Sequence, residues 1–205
     1  MLRIGYLDPF APFCFSRGAR HEGRFLDALR ARASDAGQDL SFHPGAIGDL
    51  PQELAAGRID AIAAKAVTAA RGQDFTFSEP LLETAAALFA KAGNVAPAPD
   101  DIGGRTIATP GAGPLVAVLR RLAPEATILE TADYPASLLA VLEGKADFAA
   151  LNADAGATIA DDAFPGAISA SGPRFEVLGL ALAVSPGDPG GVLARLGFQR
   201  ASTSM

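Results

Sequence analysis

Two stretches of the chain follow one pattern. Leu54-Ala55-Ala56-Gly57-Arg58-Ile59-Asp60 runs into the apolar Ala61 to Ala64, and Leu142-Glu143-Gly144-Lys145-Ala146-Asp147 runs into Phe148 to Leu151. In each, a helix-like segment stops at a glycine suited to the left-handed position that follows a helix. A basic residue, one spacer and an aspartate then lead into a continuous apolar run of strand length. A helix-to-strand joint used twice predicts two similar α/β lobes rather than one larger sheet. Paired lobes enclose a cleft where a small molecule can sit. Asp60 and Asp147 read as structural residues that mark where each lobe's cleft-facing strand begins.

With 205 residues, 49% of them hydrophobic and 20% charged, the chain can bury a real core in one large or two small domains. A net charge of -6 without any basic run argues against nucleic acid or an anionic membrane surface as partner, which leaves a small molecule or a protein. The single cysteine, Cys14, rules out an internal disulfide and a cysteine metal cluster. Within Phe13-Cys14-Phe15 it reads as a small buried hydrophobe. No apolar run is long enough to span a bilayer, so direct membrane insertion is not expected. Leu2-Arg3-Ile4-Gly5 opens the sequence as a first strand, with no leader before it. The cytoplasm is expected if Met1 is the native start, and an exported location if a leader has been removed.

Along the chain, strands are predicted at Leu2 to Leu7, Leu40 to Phe42 and Ala61 to Ala64, and helices at Arg24 to Ala36 and Leu50 to Ala56. Thr68-Ala69-Ala70-Arg71 opens a short helix. Leu81 to Ala90 is open between helix, favoured by its alanines, and a strand crossing between lobes. A loop over Gly93 to Asp100, with Pro97 and Pro99, marks the lobe boundary. Alternation then restarts, with strands at Thr106 to Thr109, Thr127 to Glu130 and Phe148 to Leu151, and helices at Leu115 to Leu122, Pro135 to Glu143 and Ala153 to Ala160. Such alternation implies mostly parallel sheet. The apolar run Leu178 to Val184 returns the chain to the first lobe. A short final helix follows Gly187-Asp188-Pro189, and the polar Ala201-Ser202-Thr203-Ser204 ends the chain.

Chemistry begins at Thr68, a standard N-cap residue type. Arg71 falls where a capping box wants Glu or Gln and where the helix dipole disfavours a cation. A hydroxyl, a guanidinium and free backbone N–H groups at one helix start suit a planar anion such as a carboxylate. The alternative for Arg71 is a surface ion pair with Asp74 or Glu79, and neither reading outweighs the other on the residues alone. In the second half, Thr109-Pro110-Gly111-Ala112-Gly113-Pro114 follows a strand and opens a helix. Its glycines would let backbone N–H groups approach an anion, or simply form a tight turn. Lys65 adds a cation beside Arg71 or snorkels to solvent.

These residues, in this order, resemble the family 3 extracellular solute-binding proteins, periplasmic receptors that deliver amino acids and related small polar solutes to ABC transporters. The resemblance covers Leu2 to about Pro189. It is most specific from Thr68 through Arg71 to Phe77-Ser78-Glu79-Pro80, and includes Gly57-Arg58-Ile59-Asp60, Asp101-Ile102-Gly103-Gly104-Arg105 and Gly144-Lys145-Ala146-Asp147. It implies a two-lobed α/β fold of the periplasmic-binding-protein type II, with two mostly parallel sheets joined by two crossing strands near Leu88 to Lys91 and Gly179 to Val184. Lobe one would comprise 1–90 with 184–205 and lobe two 91–183. The lobes would close on a small anionic or zwitterionic solute.

By the same resemblance Arg71 and Thr68 would hold the ligand carboxylate, helped by backbone around Ala64 and Ala66. Phe10 would pack on the ligand side chain, and Gly111, Ala112 and Gly113 would form the second lobe's carboxylate-facing loop. Where the family usually has an acidic partner for a ligand ammonium, this chain has Asn152, with Asp154 two residues on. Ala66, Ala112 and Gly113 replace hydroxyl residues, giving a less polar pocket. The ligand is therefore expected to carry a carboxylate or comparable anion without having to be an α-amino acid. The resemblance further implies a monomer, a periplasmic location, a permease partner and no cofactor. The competing class is an enzyme of the same fold, a dehydratase of carboxylated ring compounds with Glu79, Glu83 or Asp154 as acid. A ligand-driven sensor is a third. His21, expected in a loop, and His43, at a strand end, offer no nucleophile-base-acid triad.

Overall fold

The computed structural model describes residues 1–201; the expected polar end at Ser202-Thr203-Ser204 lies outside them. In chain order the elements are β1 (Leu2–Leu7), β2 (Phe15–Arg17), β3 (Arg20–Glu22), α1 (Arg24–Asp35), β4 (Leu40–Gly45), α2 (Leu50–Ala55), β5 (Ala61–Ala66), a 3-10 turn (Ala70–Gln73), β6 (Thr76–Phe77) and β7 (Leu82–Lys91). A second 3-10 turn (Pro99–Asp101) precedes β8 (Thr106–Pro110), α3 (Leu115–Leu122), β9 (Thr127–Thr131), α4 (Tyr134–Leu142), β10 (Phe148–Asn152), α5 (Ala153–Ala163), β11 (Ile168–Val184) and α6 (Val192–Arg195). The chain forms two compact units, one of residues 1–83 with the segment from Leu178 onward, the other Thr84–Val177.

In the first unit β1 lies between β4 and β5, parallel to both, and β11 runs antiparallel to β5 and β6. Phe25, Leu26, Leu29 and Ala33 fall on one stripe of α1 and are buried, as a helical period of apolar residues requires. Leu2, Ile4 and Tyr6 of β1 are likewise buried, each at most 1% exposed. In the second unit β10 and β8 are parallel, as are β8 and β9, while β7 pairs antiparallel with β10. β10 is buried at every position, which is why its first four residues, Phe148 to Leu151, are continuously apolar rather than alternating. Phe89, Leu138, Val141, Leu151 and Ile159 form the centre of this unit.

The repeated element has the same construction in both units. After α2, Gly57 adopts φ 67° and donates to Leu54 O at 3.0 Å, while Arg58 N reaches Glu53 O at 2.9 Å. After α4, Gly144 adopts φ 76° and donates to Val141 O at 3.0 Å, while Lys145 N reaches Ala140 O at 2.9 Å. Both are Schellman closures, which satisfy the last helical carbonyls and turn the chain toward the sheet. The aspartate then locks the next strand to its neighbour. Asp60 N donates to Arg3 O at 2.7 Å, and its carboxylate accepts from Arg3 N at 2.8 Å and from the Arg3 guanidinium at 2.7 Å. Asp147 N likewise donates to Thr106 O at 2.8 Å, and its carboxylate accepts from Thr106 N at 2.9 Å and from Arg105 at 3.3 Å. The bonds from Arg3 hold the Asp60 carboxyl below its ordinary range.

Several elements differ from expectation. The open segment Leu81 to Ala90 is strand β7, its alanines overridden by pairing with β10 from Ala86 to Phe89. The hairpin β2–β3 and the first half of β11 carry no strong apolar signal, because most of their residues are only half-buried or exposed. Pro114 is the N-cap residue of α3. The chain changes unit at Glu83–Thr84 and again at Val177–Leu178, where the resemblance implies boundaries at 90–91 and 183–184. Glu83 and Val177, at the changeovers, are exposed.

Nothing lies within 4 Å of the space a Cβ would fill at Gly57 or Gly144, so substitution there is opposed by backbone conformation alone. Gly57→Ala and Gly144→Ala should each cost about 1–2 kcal/mol, and the asparagine variants less, as read by urea unfolding.

Candidate functional site

The first unit's site begins with an irregularity in β5. Its pairing with β11 runs Leu180 to Ala66 and Ala181 to Lys65, then resumes at Ala183 and Ile62, so that Ala63 and Ala64 together face the single Leu182. Ala64 adopts φ 53°, a left-handed conformation unusual for a residue with a side chain. An inserted residue of this kind bends a strand and re-aims the side chain that follows. Here that side chain is Lys65.

Lys65 is half-buried, with its Nζ 4.6 Å from the centre of the Phe75 ring. Phe75 packs in turn on the buried Phe77 and the apolar cluster of Leu50, Leu54 and Ile62. The expected alternative of snorkelling to solvent is not what the side chain does. Burial, reinforced by the Arg71 charge and partly offset by Asp74, pushes the lysine from its ordinary 10.5 down to about 7. Phe75 was not legible as a partner, because the contact joins the end of one strand to the start of the next.

Beyond β5 the Thr68 hydroxyl accepts from Arg71 N at 3.3 Å, and the Arg71 guanidinium donates to Ala66 O at 3.2 Å. The expected short helix is a single 3-10 turn with Ala69, not Thr68, in the capping position. A turn of four residues has little dipole, so the argument from a helix start falls away and the side chains of Thr68 and Arg71 remain. Of the two acidic partners considered for Arg71, Glu79 instead pairs with Arg32 at 2.8 Å.

The other expected site residues have structural employment. Phe10 is 5% exposed, with its ring 5.2 Å from that of Phe13. Gly111 N donates to Thr131 O at 3.0 Å, extending the pairing of β8 with β9, and Gly113 N donates to Pro110 O at 2.8 Å, closing the turn. Ala112, between them, is exposed. A Cβ at Gly111 would lie 2.7 Å from a Glu130 carboxylate oxygen, placing an acidic group against the expected anion loop.

Asn152 is the buried N-cap of α5, its Oδ1 accepting from Asp154 N and Ala155 N at 3.1 Å each. The Asp154 carboxylate accepts from Thr84 at 2.9 Å and from Arg174 at 3.0 Å. Arg174 lies in the part of β11 that sequence reasoning left unassigned. Cys14 is fully buried, as expected, and burial raises its thiol well above the ordinary range. His21 lies on β3, not in a loop, and its Nδ1 shares a 2.8 Å hydrogen bond with the Tyr6 hydroxyl. Among the described residues no group of three or more His, Cys, Asp or Glu side chains is placed to hold a metal ion, and no helix is long and apolar enough to cross a membrane.

Two predictions concern the strained strand. Glycine relieves the left-handed backbone at position 64, so Ala64→Gly should raise stability by roughly 0.5–1 kcal/mol in urea unfolding. Below about pH 7 Lys65 is charged in folded and unfolded chains alike, and its desolvation penalty is fully present. Between about 7 and 10.5 only the unfolded chain keeps the proton, so the penalty fades as pH rises. Lys65→Met should therefore stabilise the protein at pH 6 by on the order of 1–3 kcal/mol, a gain that shrinks toward pH 10 in thermal unfolding.

Comparison with known proteins gives a consistent picture. A histidine kinase sensor domain similar to periplasmic binding proteins matches with a TM-score of 0.83 at 21% identity, over 95% of this chain and 86% of that one. The VFT2 domain of BvgS from Bordetella pertussis, as a double mutant, matches with a TM-score of 0.81 at 22% identity, over 95% and 84%. An arginine-bound mutant of ArgBP from T. maritima matches with a TM-score of 0.81 at 17% identity, over 95% and 92%. At such identities the likeness establishes the fold, the two-lobed α/β fold of periplasmic binding proteins. No curated protein sequence matches. The sequence model of the bacterial extracellular solute-binding proteins, family 3, matches residues 2–193. This chain belongs to the bacterial extracellular solute-binding proteins, family 3.

Proposed function

We propose that this chain binds a small carboxylated solute through Arg71 and Thr68, and that it serves as the periplasmic substrate-binding component of an ABC transporter. The observation that carries the reading is the fixed Arg71 guanidinium, tied to Ala66 O at 3.2 Å, with the Thr68 hydroxyl three residues before it. Arginine presents a planar fork of donors that matches a carboxylate with two parallel hydrogen bonds. Lys65 adds positive potential in the same poorly solvated corner, where charge interactions are stronger than in water. The arrangement binds and orients an anion, and needs no cofactor to do so.

Family membership supports solute binding, and delivery to a permease by a monomeric periplasmic receptor is the finer part of the proposal. The same fold in a histidine kinase sensor domain makes signalling the alternative use of the same binding event. The dehydratase reading is less well supported. Two of the three carboxylates it would draw on are already engaged, Glu79 with Arg32 and Asp154 with Arg174.

Arg71→Ala should weaken binding of a carboxylated solute by about tenfold to a hundredfold in isothermal titration calorimetry, the loss of a charge-assisted hydrogen-bond pair. Thr68→Val should weaken it less. An Arg71→Ala protein with unchanged affinity would remove the proposed site.

A further inference from the structure

The two cations of the first unit are held differently, and the difference bears on the ligand. Arg71 is tethered through its guanidinium to the backbone of β5. Lys65 is aimed by the strained bulge at Ala63 and Ala64, with its ammonium over an aromatic face. Among the described residues Lys65 has no carboxylate within ion-pair distance and no hydrogen-bond acceptor. Cation–π contact offsets only part of the cost of removing an ammonium from water. The charged groups acting on it are Arg71, which repels it, and the exposed Asp74, which attracts it more weakly. On the neighbouring strand the residue opposite Lys65 is Ala181, which carries no charge. Lys65 therefore sits partly desolvated beside a second cation, with the solvent-screened carboxylate of Asp74 as the weaker influence on it.

A monocarboxylate on Arg71 would leave the Lys65 ammonium without an anion. We propose that the ligand is a small dianion, a dicarboxylate of short carbon chain, with one carboxylate on Arg71 and the other on Lys65. This rests on the Arg71 site proposed above and adds the second anionic group and the residue that reads it. The pairing has a thermodynamic signature. Lys65, pushed down to about 7 in the free protein, is mostly neutral at pH 8, and a second carboxylate beside it favours the ammonium. Binding then takes up a proton at Lys65 Nζ, and affinity for the dianion falls as pH rises above about 7. A monocarboxylate that engages Arg71 alone has no such dependence.

The test uses the whole chain and paired probes: succinate, glutarate and adipate against butyrate and valerate, with glutamate as the α-ammonium counterpart of glutarate. Calorimetry at pH 8 in buffers of different ionisation enthalpy counts the protons taken up. At least one dicarboxylate should bind about tenfold or more tighter than the monocarboxylate of equal length, with net proton uptake on binding. Glutarate should bind more tightly than glutamate, because an ammonium placed in this corner meets two cations.

Lys65→Met should weaken dicarboxylate binding about tenfold or more, abolish the proton uptake and leave valerate within about twofold. Lys65→Arg, whose charge does not titrate, should retain affinity while losing the uptake. Equal binding of mono- and dicarboxylates, tighter binding of glutamate than of glutarate, no proton uptake, or no binding of any dicarboxylate at millimolar concentration would each overturn the proposal. If Arg71→Ala loses the carboxylates while Lys65→Met loses none, the dianion inference alone fails. If Arg71→Ala loses none, the Arg71 site itself fails.

Discussion

In each unit one carboxylate sets the register between two parallel strands. Asp60 and Asp147 bond, through both main chain and side chain, a residue at the start of the neighbouring strand, Arg3 in one case and Thr106 in the other. Parallel pairing has no hairpin to fix its register, and a slip of one residue would turn every side chain to the opposite face. A reciprocal pair of hydrogen bonds at the strand start prevents that slip. The left-handed glycine three residues earlier completes the device by stopping the helix where the strand can begin. Everything later in β5, including the position of Lys65, depends on this starting point.

From that fixed start β5 departs from regular pairing at the candidate site. The bulge at Ala63 and Ala64 costs ladder pairing and a left-handed alanine. In exchange, the last residues of β5 and the turn after it bring Lys65, Ala66, Thr68 and Arg71 into one corner. The 3-10 turn is too short to bind an anion through its dipole, so the chemistry is that of side chains. Desolvation then makes those charges matter, since the same lysine and arginine on an open surface would be screened to little effect.

The second unit uses its polar groups differently. Asn152 closes the start of α5, Asp154 is shared between Thr84 and Arg174, and the N–H of Gly111 bonds β9 while that of Gly113 closes the turn. The family resemblance marks these positions for a ligand by their order along the chain, and the fold gives each of these polar groups a partner within its own unit as well.

How much of this was legible depended on how local each cause is. The doubled joint was readable because a Schellman glycine, a basic residue and an aspartate act within seven residues, and the alternation of helix and strand followed from apolar periodicity. Both α/β units and the structural role of Asp60 and Asp147 came from the sequence by itself. Thr68 and Arg71 stood out for the same reason, since their contacts lie three and five residues apart. Tertiary structure alone decided the strand character of β7, the exposed changeover points, the bulge before Lys65, the ring beneath its ammonium and the pairing of Asp154 with Arg174. Each of these joins residues distant in sequence, through pairing or desolvation that no local pattern encodes. A lysine's charge state, above all, is set by what surrounds it after the chain has folded.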